Sequence, residues 1–166
     1  MNALRVLFLC TGNSARSQMA EALLRHLSDG RAEASSAGTH PKSEVHPMAI
    51  ATLATRFNLD GSRLFPKTLD RYRGQPFDYV ITVCDQAAEA CPVFPGAGAR
   101  LHWSLPDPAA VTGTREEQQR AFDQTASDLA QRLRLWLALP AIAARLQSPE
   151  AGTSSQARVS RDETSG

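Results

Sequence analysis

Cys10 ends an apolar run, Val6-Leu7-Phe8-Leu9, and a short polar loop, Thr11-Gly12-Asn13-Ser14-Ala15, separates it from Arg16 and Ser17. That arrangement suits a thiolate nucleophile inside a cradle for a tetrahedral oxyanion. The backbone N–H groups from Thr11 to Ser17 can converge on the anion, and the positive end of a helix opening near Arg16 points at it. The Arg16 guanidinium can clamp two of its oxygens. The same field favours the thiolate, the reactive form of Cys10. Gly12 permits a left-handed backbone, Asn13 tolerates one and can hydrogen-bond across the loop, and Ser14 and Ser17 supply hydroxyls. An arginine six residues after a cysteine is a weak signal by itself, compatible with a buried cysteine ending a strand. The loop between them strengthens it.

Cys84 ends a second apolar run, Phe77–Cys84, and Cys91 follows after Asp85-Gln86-Ala87-Ala88-Glu89-Ala90, which holds nothing bulky or β-branched. Two thiols separated by a pliable segment allow serial thiol–disulfide exchange. The plainer alternative is that both face the core. Asp107, between Pro106 and Pro108, either starts a turn or acts as a general acid that protonates the departing oxygen of the oxyanion. Three cysteines are too few and odd in number for a disulfide framework. Zinc is not expected, because Cys84 and Cys91 lack a second cysteine pair and His26, His40, His46 and His102 lack ligand spacing.

The elements that must position these groups follow from hydrophobic periodicity. Leu4–Leu9 is nearly continuously apolar, the mark of a strand buried on both faces of a parallel sheet. A helix is predicted from Ser17 to about Ser28, with Ala20, Leu23, Leu24 and Leu27 on one face. A short strand, Ala32–Ser36, comes next, ended by Ala37-Gly38. A helix from Pro47 follows, with Ile50, Leu53, Ala54 and Phe57 as its apolar face. One helical turn is expected near Leu69, a buried strand over Phe77–Cys84, a short helix or loop over 85–91, and a short strand at Arg100–Trp103. Thr114 and Glu117 form a capping box for a last helix whose Phe122, Ala126, Leu129, Leu133 and Trp136 face the sheet. The expected fold class is α/β, a single-domain four-stranded parallel sheet of order 2-1-3-4 with helices on both faces. The domain spans residues 1–146 and a polar, disordered tail spans 147–166. In this topology Cys10, Cys84 and Asp107 gather on the edge where the strands end, at the switch in strand order.

The chain has 166 residues and a formal net charge of +1, from 18 Lys and Arg against 17 Asp and Glu. No block of like charge suggests nucleic-acid or membrane-surface binding. The apolar stretch Leu4–Leu9 is too short for a signal or a span, so a cytoplasmic monomer is expected.

The motifs CTGNSARSQMAEA (10–22), SAG (36–38), FDYVITVCDQAAEACPVFPG (77–96) and HWSLPDPA (102–109) resemble those of the thioredoxin-coupled arsenate reductases of the low-molecular-weight protein tyrosine phosphatase superfamily, over about residues 4–138. The resemblance implies that Cys10 attacks arsenate held by residues 11–17 while Asp107 protonates the leaving hydroxide. Cys84 then attacks Cys10 and releases arsenite, and Cys91 moves the disulfide to Cys84–Cys91, where thioredoxin reduces it. No bound cofactor is implied, and phosphate or sulfate would compete as anions. Ala15 stands where some relatives carry a further cysteine. Some relatives hold potassium beside the loop. Asn13, Glu21 and Ser36 match that pattern, the remaining acidic ligand has no clear counterpart, and Lys67 is a candidate replacement for the cation.

The competing function is a low-molecular-weight phosphatase that hydrolyses phosphoesters with Cys10, Arg16 and Asp107. That chemistry leaves Cys84 and Cys91 idle, and no tyrosine pair flanks Asp107. A non-catalytic oxyanion sensor would keep the cradle without needing three thiols and an acid.

Overall fold

Val6, Leu7, Phe8 and Leu9 are all shielded from solvent. Successive strand residues point to opposite faces, so both faces of the sheet must be covered. The structure, a computed structural model, describes residues 3–85 and 96–147. Four strands, β1 (Leu4–Cys10), β2 (Ala32–Gly38), β3 (Phe77–Thr82) and β4 (Ala97–His102), pair in parallel in the order β2-β1-β3-β4. Around them lie the helices α1 (Arg16–Leu27), α2 (Pro47–Phe57), α3 (Arg115–Leu137) and α4 (Pro140–Leu146). The expected fold class and strand order are those observed.

The periodicities place most of the core. Ala20, Leu23 and Leu24 of α1 are buried as predicted, together with Met19. Phe122, Ala126, Leu129, Leu133 and Trp136 of α3 are all buried. Trp136 meets Tyr79 of β3 edge-on, with centroids 5.2 Å apart, and Trp103 beyond β4 at 6.2 Å. Thr114 caps α3, its Oγ1 accepting from the Glu117 N–H at 3.1 Å and donating to the Glu117 carboxylate at 3.3 Å. The expected turn near Leu69 is a 3₁₀ turn, Leu69–Tyr72.

Several expectations shift. On α2 the buried residues are Ala49, Thr52 and Leu53, whereas Ala54 is exposed. Thr52 tolerates burial because its hydroxyl donates to Asp123 of α3 at 2.8 Å and accepts from Gln119 at 2.8 Å. β3 stops at Thr82, two residues before Cys84, which therefore sits in a loop rather than on the strand. β4 begins at Ala97, three residues earlier than predicted. Gly98 lets it run close to β3, since a Cβ there would stand 2.9 Å from the Asp78 carbonyl oxygen. Helix α4, with Pro140 in its first turn and Ile142 buried, is an addition. Of the segment expected as a short helix or loop, residues 86–91 lie outside the described residues, and so do 148–166 of the expected tail. Gln147 caps the end of α4. No helix among the described residues is long and apolar enough to cross a membrane.

Candidate active site

The loop after β1 is held open by the segment after β2. Thr39, His40, Lys42 and His46 donate backbone N–H groups to the carbonyls of Cys10, Thr11, Gly12 and Ser14, at 3.3, 2.9, 2.9 and 2.9 Å. With those carbonyls engaged on that side, the loop is free to turn N–H groups to the other, as a backbone nest does, and the Asn13 N–H points to Cys10 Sγ. The approach is close enough to require glycine at position 38. A Cβ there would lie 2.5 Å from the Thr11 carbonyl oxygen and 3.0 Å from the Asn13 nitrogen. The left-handed residue is Asn13, with φ 45°, and not Gly12. Gly12 serves another end: a Cβ on it would meet Cγ, Cε and Cδ of Lys42 at 3.2–3.4 Å.

Cys10 is 3% exposed. Its Sγ receives the Asn13 N–H at 3.2 Å and lies 2.8 Å from Ser17 Oγ. Asn13 Nδ2 donates to that same Ser17 oxygen at 2.8 Å, which leaves the Ser17 proton for the sulfur. Two donors, in the loop and at the start of α1, thus face the sulfur.

Cys10, Thr11, Gly12, Ser14, Ala15 and Arg16 line a cavity of about 260 Å³ together with His40, Lys42, Asp107 and Ala109. Asn13 and Ser17, buried behind the loop, brace it instead of lining it. Arg16 is oriented from across the site, since its Nη1 donates to the Leu105 carbonyl at 2.9 Å. Its Nη2 stands 3.9 Å from Asp107 Oδ2. The other Asp107 oxygen accepts from the Ala109 N–H at 2.9 Å and caps the 3₁₀ turn Pro108–Ala110. Asp107 does start a turn, and the turn anchors the carboxyl while leaving its other oxygen at the cavity.

Cys84, also 3% exposed, does not line the cavity, but its Sγ lies 3.4 Å from the hydroxyl of Thr11, which does. Next to it, Asp85 is tied to β4. His102 Nε2 bonds Asp85 Oδ1 at 2.8 Å, and His102 Nδ1 bonds Thr82 Oγ1 at 2.7 Å. A carboxylate only accepts, so Nε2 carries a proton. Hydrogen bonds from His102 and then Ser104 hold the Asp85 carboxyl below the usual range. Cys91 lies outside the described residues.

Beneath the loop, Glu21 and Lys67 are both buried. Glu21 Oε1 accepts from Ser36 Oγ at 2.9 Å and from Lys67 Nζ at 3.4 Å, and its Oε2 pairs with Arg25 at 3.1 Å. Lys67 Nζ also donates to the Phe65 carbonyl at 2.9 Å. Asn13 Oδ1 accepts from Gln18 Nε2 and from the Lys67 N–H. The side-chain oxygens of Asn13 and Glu21 are thus engaged by N–H and O–H groups, Ser36 turns its hydroxyl proton to Glu21, and an ammonium already stands beside the carboxylate. These residues do not fit a potassium site. Burial pushes the Lys67 ammonium below the usual lysine range, and Glu21 opposes that shift.

His46 was not singled out by sequence for this site. Its Nδ1 caps α2 by accepting from the Met48 N–H at 3.1 Å, and its ring packs on Phe122 at 4.5 Å. Lys42, His40 and Gly38 were likewise missed as site residues. All of them sit in or beside the turn after β2, on the edge where the strand ends gather.

A tight loop from Cys10 to Arg16 on a parallel sheet of order 2-1-3-4, with the Asp107 carboxyl brought to it from beyond the last strand, defines the class. The chain belongs to the family described as low molecular weight phosphotyrosine protein phosphatase, which it matches over residues 5–148. An arsenate reductase of Halalkalibacterium halodurans is 35% identical over 134 residues, covering 81% of this chain and 95% of that one. Among solved structures, an arsenate reductase in its phosphate-binding state is similar with a TM-score of 0.65 and 27% identity, covering 81% of this chain and 96% of the other. The thioredoxin-dependent arsenate reductase of Corynebacterium glutamicum is 35% identical, with a TM-score of 0.56, over 80% of this chain and 62% of that one.

Proposed function

We propose that the protein reduces arsenate to arsenite through a relay of Cys10, Cys84 and Cys91, re-reduced by thioredoxin. The Cys10 thiolate attacks arsenic(V) held by the loop amides and Arg16. Asp107 gives a proton to the departing oxygen, which leaves as water or hydroxide. The Cys84 thiolate then attacks the Cys10 sulfur. The S–As bond breaks, its electron pair stays with arsenic, and arsenite leaves while two thiols become a Cys10–Cys84 disulfide. Cys91 attacks Cys84 in turn, which frees Cys10 as a thiolate and leaves a Cys84–Cys91 disulfide for thioredoxin's dithiol to reduce.

The observation that carries this reading is the second thiol beside the cradle, Cys84 Sγ at 3.4 Å from Thr11 Oγ1. The arsenate reductases among its relatives support it, one of them thioredoxin-dependent. Phosphoester hydrolysis would need Cys10, Arg16 and Asp107 alone. Among the described residues no Phe, Tyr or Trp lines the cavity to grip an aryl ester, and Tyr72 and Tyr79 are packed against Phe77 and Trp136.

The test is NADPH oxidation by the protein with thioredoxin and thioredoxin reductase. Oxidation that starts on addition of arsenate, and not of phosphate, is expected. Hydrolysis of p-nitrophenyl phosphate without arsenate-dependent oxidation would establish the phosphatase instead.

A further inference from the structure

Lys42 stands at the cavity beside Cys10, yet neither the thiol relay nor the acid step uses it. Its backbone is fixed, because its N–H donates to the Gly12 carbonyl at 2.9 Å. Its stem lies along the loop. Three successive methylenes, Cγ, Cδ and Cε, lie against Gly12 where any side chain would displace them. A long exposed lysine ordinarily keeps its head free in water; here the stem folds along the loop, and Lys42 lines the cavity with Arg16 and Asp107. It forms no ion pair with any described residue, so its charge is not spent on a protein carboxylate. Its field is felt nearby: after burial, Lys42 is the next cause that holds His46 below its ordinary pKa.

We propose that Lys42 is a specificity-determining residue that selects free inorganic tetrahedral oxyanions over organic monoesters and phosphonates. An anion seated on the loop turns three oxygens toward the amides and Arg16 and the fourth toward the mouth, where Lys42 lies. In an inorganic dianion that fourth position carries charge or a polar hydroxyl for the ammonium to meet. In an ester or phosphonate it carries the organic group, and among the described residues the lining offers that group no apolar side chain larger than those of Ala15 and Ala109. The preference deepens the arsenate reading, because it explains how a loop that fits any phosphoryl group would favour a free oxyanion.

The test measures binding without turnover, so it does not depend on that reading. Reduced protein is alkylated at Cys10 with iodoacetamide, and protection is titrated with inorganic phosphate and phenylphosphonate, neither of which the thiols can reduce. K42M keeps the stem over Gly12 and removes the charge. Its dissociation constant for inorganic phosphate should rise about tenfold, the size Coulomb's law assigns to one charge beside a dianion in a near-aqueous dielectric. The salt dependence of protection should flatten, K42R should restore both, and phenylphosphonate binding should change less than about threefold. Phosphate binding by K42M within about twofold of wild type would overturn the proposal. Equal weakening of phenylphosphonate would overturn it too, by showing a general cation effect. A wild type that binds phosphate but fails to reduce arsenate would count against the arsenate reading alone.

Discussion

The Cys10 sulfur and the Ser17 hydroxyl stand 2.8 Å apart, with the Ser17 oxygen itself held by Asn13 Nδ2. The chain of donors runs one way, from the asparagine amide through the hydroxyl to the sulfur, and it ends on the atom that must carry negative charge. Ser17→Ala should therefore slow iodoacetamide alkylation of Cys10 near neutral pH by about tenfold or more, since a hydrogen bond to a charged group contributes roughly 1.5–3 kcal/mol. Alkylation at the wild-type rate would show that the hydroxyl does not hold the thiolate.

Lys67 should act as a built-in cation under the loop. Lys67→Met leaves the Glu21 carboxylate buried with only Arg25 and Ser36, and breaking such a pair costs about 3–5 kcal/mol. Urea unfolding should show a loss of that order, and Lys67→Met with Glu21→Gln should recover much of it. Melting of the wild type should be the same in potassium and sodium chloride at equal ionic strength. A specific gain in potassium would mean that the cation competes for this site.

His46 makes stability depend on pH near neutrality. Burial, and then Lys42, lower its folded pKa below 6.5, against weaker upward pulls from Asp107 and Glu44. The unfolded chain therefore binds the proton more readily, so stability is fully present above about pH 6.5 and falls as pH drops through the lower folded value. Protonation also removes the lone pair that caps α2, a loss of about 1 kcal/mol. His46→Asn keeps a capping oxygen without titrating there, and its melting temperature should vary less between pH 7 and pH 5. An unchanged pH dependence would exclude His46 as its source.

Local signals were the legible ones. The strand–loop–helix around Cys10, the proline start of α2, the cap at Thr114 and the apolar stripe of α3 depend on neighbours a few residues away, and they are found where periodicity puts them. What depends on packing between distant segments was not legible. Positive φ falls to Asn13 because its side chain is gripped by Ser17, Gln18 and the Lys67 backbone, whereas Gly12 is needed under the Lys42 stem. Gly38 belongs to the site only because β2 lies beside β1 and brings its end so near Thr11 that a Cβ at position 38 would stand 2.5 Å from the Thr11 carbonyl oxygen. Thr52 is buried on α2 where Ala54 was expected because α3 supplies Asp123 and Gln119 as partners. Lys67 was visible as a cation near the acidic residue, but its contact with Glu21 is a tertiary fact.

The relay is tested most directly by counting arsenite released per protein in Cys84→Ser and Cys91→Ser, with arsenate, thioredoxin, thioredoxin reductase and NADPH present. Without Cys84, Cys10 can take up arsenic but cannot expel it as arsenite, so none should appear. Without Cys91, one arsenite per chain should be released before the protein stops as the Cys10–Cys84 disulfide, while the wild type continues. Sustained turnover by Cys91→Ser, or arsenite from Cys84→Ser, would contradict the three-thiol relay.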